Sequence, residues 1–129
     1  MDSQLLAGTL EMLVLQVVSP DPTYGYAITQ EVQQRSRGYL ELKEGSLYPA
    51  LHRMEREGLL ESYWVEAGPK RRRKYYRVTA QGLAVLEEKQ SEWRRFSSAV
   101  DGVMSPSRVI GASVVMSPSR AIGTADALA

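Results

Sequence analysis

The chain has 129 residues, 43% of them apolar, and a formal net charge of +1; that suits one globular domain with an appendage, and the balance is too even for bulk charge to name a partner. It holds no cysteine, which excludes disulfide and thiolate chemistry, and no run of about 18 apolar residues, which excludes a transmembrane helix. Asp2 stands where a secretory signal carries positive charge, so the expected location is the cytoplasm, with no membrane partner.

Thr9 to Val18 is predicted to form a first helix, with Leu10, Leu13, Val14 and Val17 on one face. Leu5 and Leu6 extend that apolar surface upstream, with Gly8 a weak point between. Two prolines two residues apart make Ser19–Pro22 a turn. Thr23 is placed to cap a second helix over about Tyr24–Arg35, whose core face is Ala27, Ile28 and Val32, and Gly38 closes that segment. Tyr39 to Leu42 alternates weakly, as a very short strand does.

The stretch Glu44–Leu60 holds a third helix, expected over residues 46–57. Leu47, Ala50, Leu51 and Met54 fall on its inner face, and Tyr48, Pro49, His52, Arg53 and Arg56 on the rest. Proline is harmless only in a first turn, so Pro49 argues for a start near Ser46, which can cap with its hydroxyl; a start at Glu44 would lose one backbone bond. Gly58 suits a left-handed stop.

Leu60–Val65 and Lys74–Val78 read as two strands rich in Tyr, Trp and Val. The Gly68-Pro69 pair marks a turn between them, and Lys70 to Arg77 carries six cations and no acid. A hairpin with a basic tip is expected. Thr79 caps a last helix, from Ala80 to Val100 or Val103. In it Leu83, Leu86, Gln90, Trp93, Ser97 and Val100 keep a 3-4-3-4 spacing, with Phe96 beside them. That seam asks for a partner helix, and a second subunit supplies one; packing onto the same domain accounts for Leu83 and Leu86 only.

Helix, helix, helix, hairpin, helix is the order of a winged helix-turn-helix. The fold expected is mainly α with a small β-hairpin: a DNA-binding domain over residues 1–79, a long C-terminal dimerisation helix over 80–103, and a Ser/Pro/Gly/Ala-rich tail over 104–129. The tail repeats Met104–Gly111 as Met116–Gly123 with one change, too few copies for a solenoid, and reads as disordered.

The chemistry these residues permit is nucleic-acid binding. Lys70, Arg71, Arg72, Arg73 and Lys74 match a run of phosphates, and their contacts release counterions. A dimer making about six such contacts gives log K a slope near −5 against log salt. Arg53 or Arg56 can take a guanine edge by two hydrogen bonds, while Ser46, Tyr48 and His52 suit phosphate, sugar or a thymine methyl. Tyr24 and Tyr26 open the second helix, whose N-terminus faces a phosphate in this plan; core packing is the other reading for each. Catalytic signals are absent. His52 is the sole histidine, with no carboxylate at triad or metal-ligand spacing, and no glycine-rich phosphate loop occurs, so neither an enzyme nor a bound cofactor is expected.

These residues resemble the PadR family of bacterial transcriptional regulators. The likeness rests on Leu6–Glu11, Tyr24-Gly25-Tyr26, Glu44–Glu55, Gly58-Leu59-Leu60 and Arg73–Thr79 with Gly82, and covers about residues 5 to 103. The run Glu44–Glu55 is its most specific part, and the single long final helix is similar to that of the smaller PadR subfamily. The resemblance implies a homodimeric repressor that binds promoter DNA. It implies a dimer interface built from the first and last helices, hence Leu6, Leu10, Leu86, Gln90, Trp93, Phe96 and Val100. Some relatives release DNA on binding phenolic acids or hydrophobic drugs near that interface. A Trp93 pair could frame such a slot or simply pack. Two rivals stand beside this reading. A winged helix that binds proteins would bind indifferently to salt. A small-molecule binder would need a sizeable apolar pocket with convergent polar groups.

Overall fold

The computed structural model of the protein describes residues 3–106, with side chains from Thr9 onward. The described residues divide into two units at the boundary between Ser91 and Glu92. Helix α1 (Ser3–Val18) is followed by a two-residue strand β1 (Thr23–Tyr24) and by α2 (Gly25–Arg35) and α3 (Glu44–Arg56). Strands β2 (Leu60–Gly68) and β3 (Arg71–Val78) form the hairpin, and α4 (Ala80–Met104) ends the described residues. The sheet is antiparallel in the order β1-β3-β2. This is the expected winged-helix fold, with one strand more than the hairpin alone. The first turns of α4 fall in the first unit.

One core organises that unit. Val14, Leu15 and Val18 of α1 meet Ile28 and Val32 of α2, Leu47, Leu51 and Met54 of α3, and Leu60 and Tyr76 of the sheet. The buried stripe of α1 differs from the expected one: Leu10, Val14, Leu15 and Val18 are buried, while Leu13 and Val17 are only partly so. Apolar residues nearly surround this helix, so periodicity alone does not fix its inner face. The helix also continues through Gly8 to Ser3.

Helix α3 starts earlier than Pro49 suggested. Lys43 is the N-cap and uses no side-chain bond; its carbonyl accepts from the N–H groups of Ser46 at 3.0 Å and Leu47 at 2.9 Å. Ser46 therefore lies inside the first turn and caps nothing. Pro49 leaves the Gly45 carbonyl without its helical donor, and Gly45 is exposed, so water can take that place. At the other end the sequence reading holds. Gly58 has φ +80, its N–H donates to Glu55 O at 3.1 Å, and the Leu59 N–H donates to Met54 O at 2.9 Å. That is a Schellman closure, which puts the chain directly into β2.

Thr23 does not cap α2. It pairs with Tyr76 in the sheet, and Tyr24, in extended backbone, pairs with Tyr75 and serves as the N-cap. Residues 39–42 form no strand: α2 closes through left-handed Arg37 and Gly38, and the Ser36 hydroxyl accepts from the Leu40 N–H at 2.9 Å. Thr79 does cap α4. Its hydroxyl accepts from the Gly82 N–H at 3.0 Å and donates to the Gly58 carbonyl at 2.6 Å, fastening the start of α4 to the end of α3. Farther along, Lys89 pairs with Glu11 of α1 at 3.3 Å and Gln90 Nε2 donates to Gln16 Oε1.

The hairpin arms are longer than expected, with Pro69 and Lys70 alone at the turn and an irregularity between Glu66 and Gly68. Arg71, Arg72 and Arg73 thus lie on β3, not at the tip. A strand sends successive side chains to opposite faces, so neighbouring arginines are spread apart and their mutual repulsion is reduced.

Candidate nucleic-acid interface

Three elements converge on one groove of about 520 Å³. The start of α2 brings Tyr24, Gly25 and Tyr26; α3 brings Tyr48 and His52; the hairpin brings Trp64, Arg71, Arg73, Lys74 and Tyr76. No carboxylate lines it. Tyr24, Tyr26, Tyr48, His52, Arg71, Arg73 and Lys74 were expected at such a surface from the sequence, and the fold brings them together. Ser46, Pro49, Arg53 and Arg56 do not line it but are exposed on α3, and Lys70 and Arg72 are exposed on the hairpin.

Gly25 makes the α2 wall possible. It is buried against the Tyr48 ring, and a Cβ there would stand 2.7 Å from Tyr48 Oη. Hydrogen at that position lets the Tyr48 ring lie directly against the first turn of α2. Tyr48 keeps 38% of its surface and Tyr26 61%. Core packing, the other reading of these ring positions, therefore does not hold for Tyr26, while Tyr24 is half-buried.

Aromatic rings hold the cations of β3. Arg73 sits 4.4 Å above the Tyr24 ring, and Tyr24, Tyr75 and Tyr63 follow one another across the sheet at centroid distances of 5.3 and 6.0 Å. Arg77 lies over Tyr63 on the same face. On the opposite face Arg72 sits 4.7 Å from the Trp64 ring centre. Stacking contributes about 0.5–1 kcal/mol at exposed sites and leaves the N–H edges of a guanidinium free for an anion. Among the described residues, no carboxylate lies within ion-pair distance of Arg53, Arg56, Lys70, Arg71, Arg72 or Arg73. Arg77, in contrast, is paired with Glu61 at 3.2 Å.

Two residues at this surface carried no functional signal in the sequence. Trp64, 55% exposed, reads in the sequence only as part of a strand, although a large exposed ring beside a cation cluster is unusual enough to notice. Glu55 stands between the basic residues Arg53 and Arg56 on α3. Its carboxylate joins α3 to both arms of the hairpin: Ser62 Oγ donates to Oε2 at 2.5 Å, and Lys74 Nζ lies 3.5 Å from Oε1. The Ser62 hydrogen bond and the Lys74 ammonium hold Glu55 below the usual carboxylate range, against the opposing effect of burial. Burial pushes the neighbouring Tyr76 phenol up, helped by the charge of Glu55.

The residues expected at a dimer interface divide. Leu10 and Leu86 are already 7% and 6% exposed in the protomer core, so they have little surface left to give a partner. Leu83, expected to pack onto its own domain, is 48% exposed. Gln90 is engaged with Gln16. In the second unit, Trp93, Phe96 and Val100 are 47%, 63% and 40% exposed, and the two rings lie 6.2 Å apart. The side chain of Leu6, and the repeated tail from residue 107 onward, lie outside the described residues. Among the described residues no helix is long and apolar enough to cross a membrane, and no cluster of acids and histidine is placed to hold a metal ion.

Comparison with known proteins gives a consistent picture. Residues 14–88 match the model of the transcriptional regulator PadR-like family. The transcriptional regulator Rv3488 of Mycobacterium tuberculosis is 34% identical over 99 residues, which are 76% of this chain and 88% of that protein. A PadR-like transcriptional regulator from Bacillus cereus superposes with a TM-score of 0.69 at 35% identity, over 79% of this chain and 97% of that one. Bacillus subtilis PadR, solved in complex with operator DNA, has the same fold: TM-score 0.57, 19% identity, 81% of this chain and 51% of that one.

Proposed function

Because the chain belongs to the PadR-like family of transcriptional regulators, we propose that it is a repressor that binds a roughly palindromic promoter site in double-stranded DNA as a homodimer. The groove carries this reading. A concave surface between a helix and a hairpin, lined by Arg71, the ring-stacked Arg73 and Lys74 and by no acid, suits a sugar-phosphate strand. In this arrangement α3 enters the major groove, where Arg53 and Arg56 read base edges and Ser46, Pro49, Tyr48 and His52 fit against the backbone and methyl groups. Lys70, Arg71, Arg72 and Arg73 face phosphates, Lys74 lies beside them on the groove wall, and Tyr24 and Tyr26 bring the start of α2 to the next phosphate. Bacillus subtilis PadR, of the same fold, is a protein seen with operator DNA.

The exposed Trp93, Phe96 and Val100 of α4 support self-association, since rings of that size are normally covered. Two-fold pairing would hold two reading helices about 34 Å apart, one turn of DNA. A small apolar or phenolic effector acting at that aromatic surface would alter the spacing and release the DNA. The test is selection of bound duplexes from random sequence, followed by a salt titration. Enrichment of an inverted repeat, with affinity falling steeply with salt, is the expected result. Binding that ignores salt, or no enrichment, would favour a protein-interaction role.

A further inference from the structure

The Glu55 carboxylate stands behind the cationic groove and holds one of the groove's cations, Lys74. Lys74 lines the groove and at the same time reaches Glu55 at 3.5 Å. The two side chains are 28% and 33% exposed, so the pair is neither fully hydrated nor sealed off. Each carboxylate oxygen serves a different strand: Oε2 takes the Ser62 hydroxyl of β2 and Oε1 faces the Lys74 ammonium of β3. Ser62 stands opposite Tyr76 and Lys74 opposite Trp64, so these groups lie together on the hairpin face turned to α3. Arg71, Arg72 and Arg73, farther along the same strand, have no such acid among the described residues.

We infer that Glu55 is a positioning residue that sets specificity: it fixes the hairpin against the reading helix and withholds Lys74 from DNA phosphates. This rests on the DNA-binding reading above. A phosphate approaching Lys74 must compete with a carboxylate already in place, and it meets the negative charge of Glu55 behind the ammonium. Both effects weaken binding to any duplex. What the protein gains is geometry, because α3 and the hairpin can then engage only a duplex that fits their fixed spacing. Specificity is a difference between affinities, and an element that penalises every sequence while ordering the site raises that difference.

The experiment compares wild type with Glu55→Gln on a selected site and on an unrelated duplex, across a salt series. Glutamine keeps the shape and removes the charge. On the unrelated duplex the salt slope should steepen by about 0.9 per protomer, the value of one added phosphate contact. Affinity for that duplex should rise by roughly fivefold, and discrimination between the two duplexes should fall. Ser62→Ala keeps both charges but cuts one anchor; it should lower discrimination by about fivefold, the equivalent of one hydrogen bond. If Glu55→Gln does not fold by circular dichroism, Ser62→Ala decides alone. Wild-type slope and discrimination in Glu55→Gln, or undiminished discrimination in Ser62→Ala, overturns the inference while leaving DNA binding standing. A wild-type protein that binds no duplex overturns both.

Discussion

Replacing Gly25 with alanine separates what the groove wall does from what the fold requires. The added methyl would stand 2.7 Å from Tyr48 Oη and 2.8 and 2.9 Å from Cε1 and Cζ. Ordinary contact is about 3.5–4.0 Å, so the ring must shift by roughly 1 Å. It is the far end of a flexible side chain and 38% exposed, so it can swing towards solvent without parting α2 from α3. Meanwhile alanine in the first helical turn recovers up to about 0.5–1 kcal/mol of backbone entropy. The two stability effects oppose each other and are of similar size, so Tm should move by no more than about 4 °C. DNA affinity should fall by about threefold to tenfold, as expected for one displaced hydrogen-bonding group. Thermal unfolding and fluorescence anisotropy on a labelled site measure the two quantities. In a Tyr48→Ala background the Gly25 change should cost no further affinity, because the obstructing ring is gone. Additive losses in the double variant, or a fall in Tm beyond about 8 °C, would refute the assignment of Gly25 to the groove wall.

Other outcomes follow from the same geometry. Arg71, Arg72 and Arg73 changed together to alanine should weaken binding to every duplex and flatten the salt slope by about 0.9 for each lost contact; an unchanged slope removes β3 from the phosphate surface. Trp93→Ala should shift the protein towards monomers in analytical ultracentrifugation, and an intact dimer would place the interface elsewhere. Leu51→Ala, at a fully buried core position, should lower unfolding free energy by about 2–5 kcal/mol in denaturant titration. Glu55 has a lowered folded-state pKa, so its stabilising contribution is complete above the unfolded value near 4.5 and is lost as pH falls through the lower folded value. The Tm gap between wild type and Glu55→Gln should therefore narrow on acidification from about pH 6 to pH 3, and a constant gap would argue against the Ser62 and Lys74 contacts.

What the sequence made readable depended on how local each signal is. The inner face of α3, its glycine stop and the Thr79 cap are encoded within a few residues, and residue type and spacing show all three. The paired strand at Thr23–Tyr24 was missed because its partner lies more than 50 residues on, and two residues carry no period. Pro49 misplaced the start of α3, since a proline rule assumes that a lost bond must be avoided, and an exposed carbonyl avoids the penalty through water. The site residues were read as a list of cation and ring types. Which of them share a groove, and that Arg72 and Arg73 stack on Trp64 and Tyr24, depends on strand register, which a charge run does not reveal. Glu55 escaped for a related reason: both its partners belong to the hairpin, not to its own helix.

The helix proposed to read DNA, α3, owes its aim to the core. Leu47, Leu51 and Met54 retain no exposure and Ala50 only 1%, so α3 cannot roll about its axis without opening the interior. Its outer side chains therefore emerge in fixed directions. The hairpin is tied to the same frame at its base, where Leu60 and Tyr76 are buried, and higher up by Glu55. Stacking then fixes the guanidinium planes of Arg72 and Arg73, which would otherwise lose rotamer freedom when they meet a phosphate. Ordering is thus completed during folding at both the helix and the hairpin, and little of it is left to oppose association. The groove needs no large net charge for this. With a formal charge of only +1 over the whole chain, it is the local absence of acids along β3 and the held geometry of its cations that would make the proposed surface selective for an ordered polyanion.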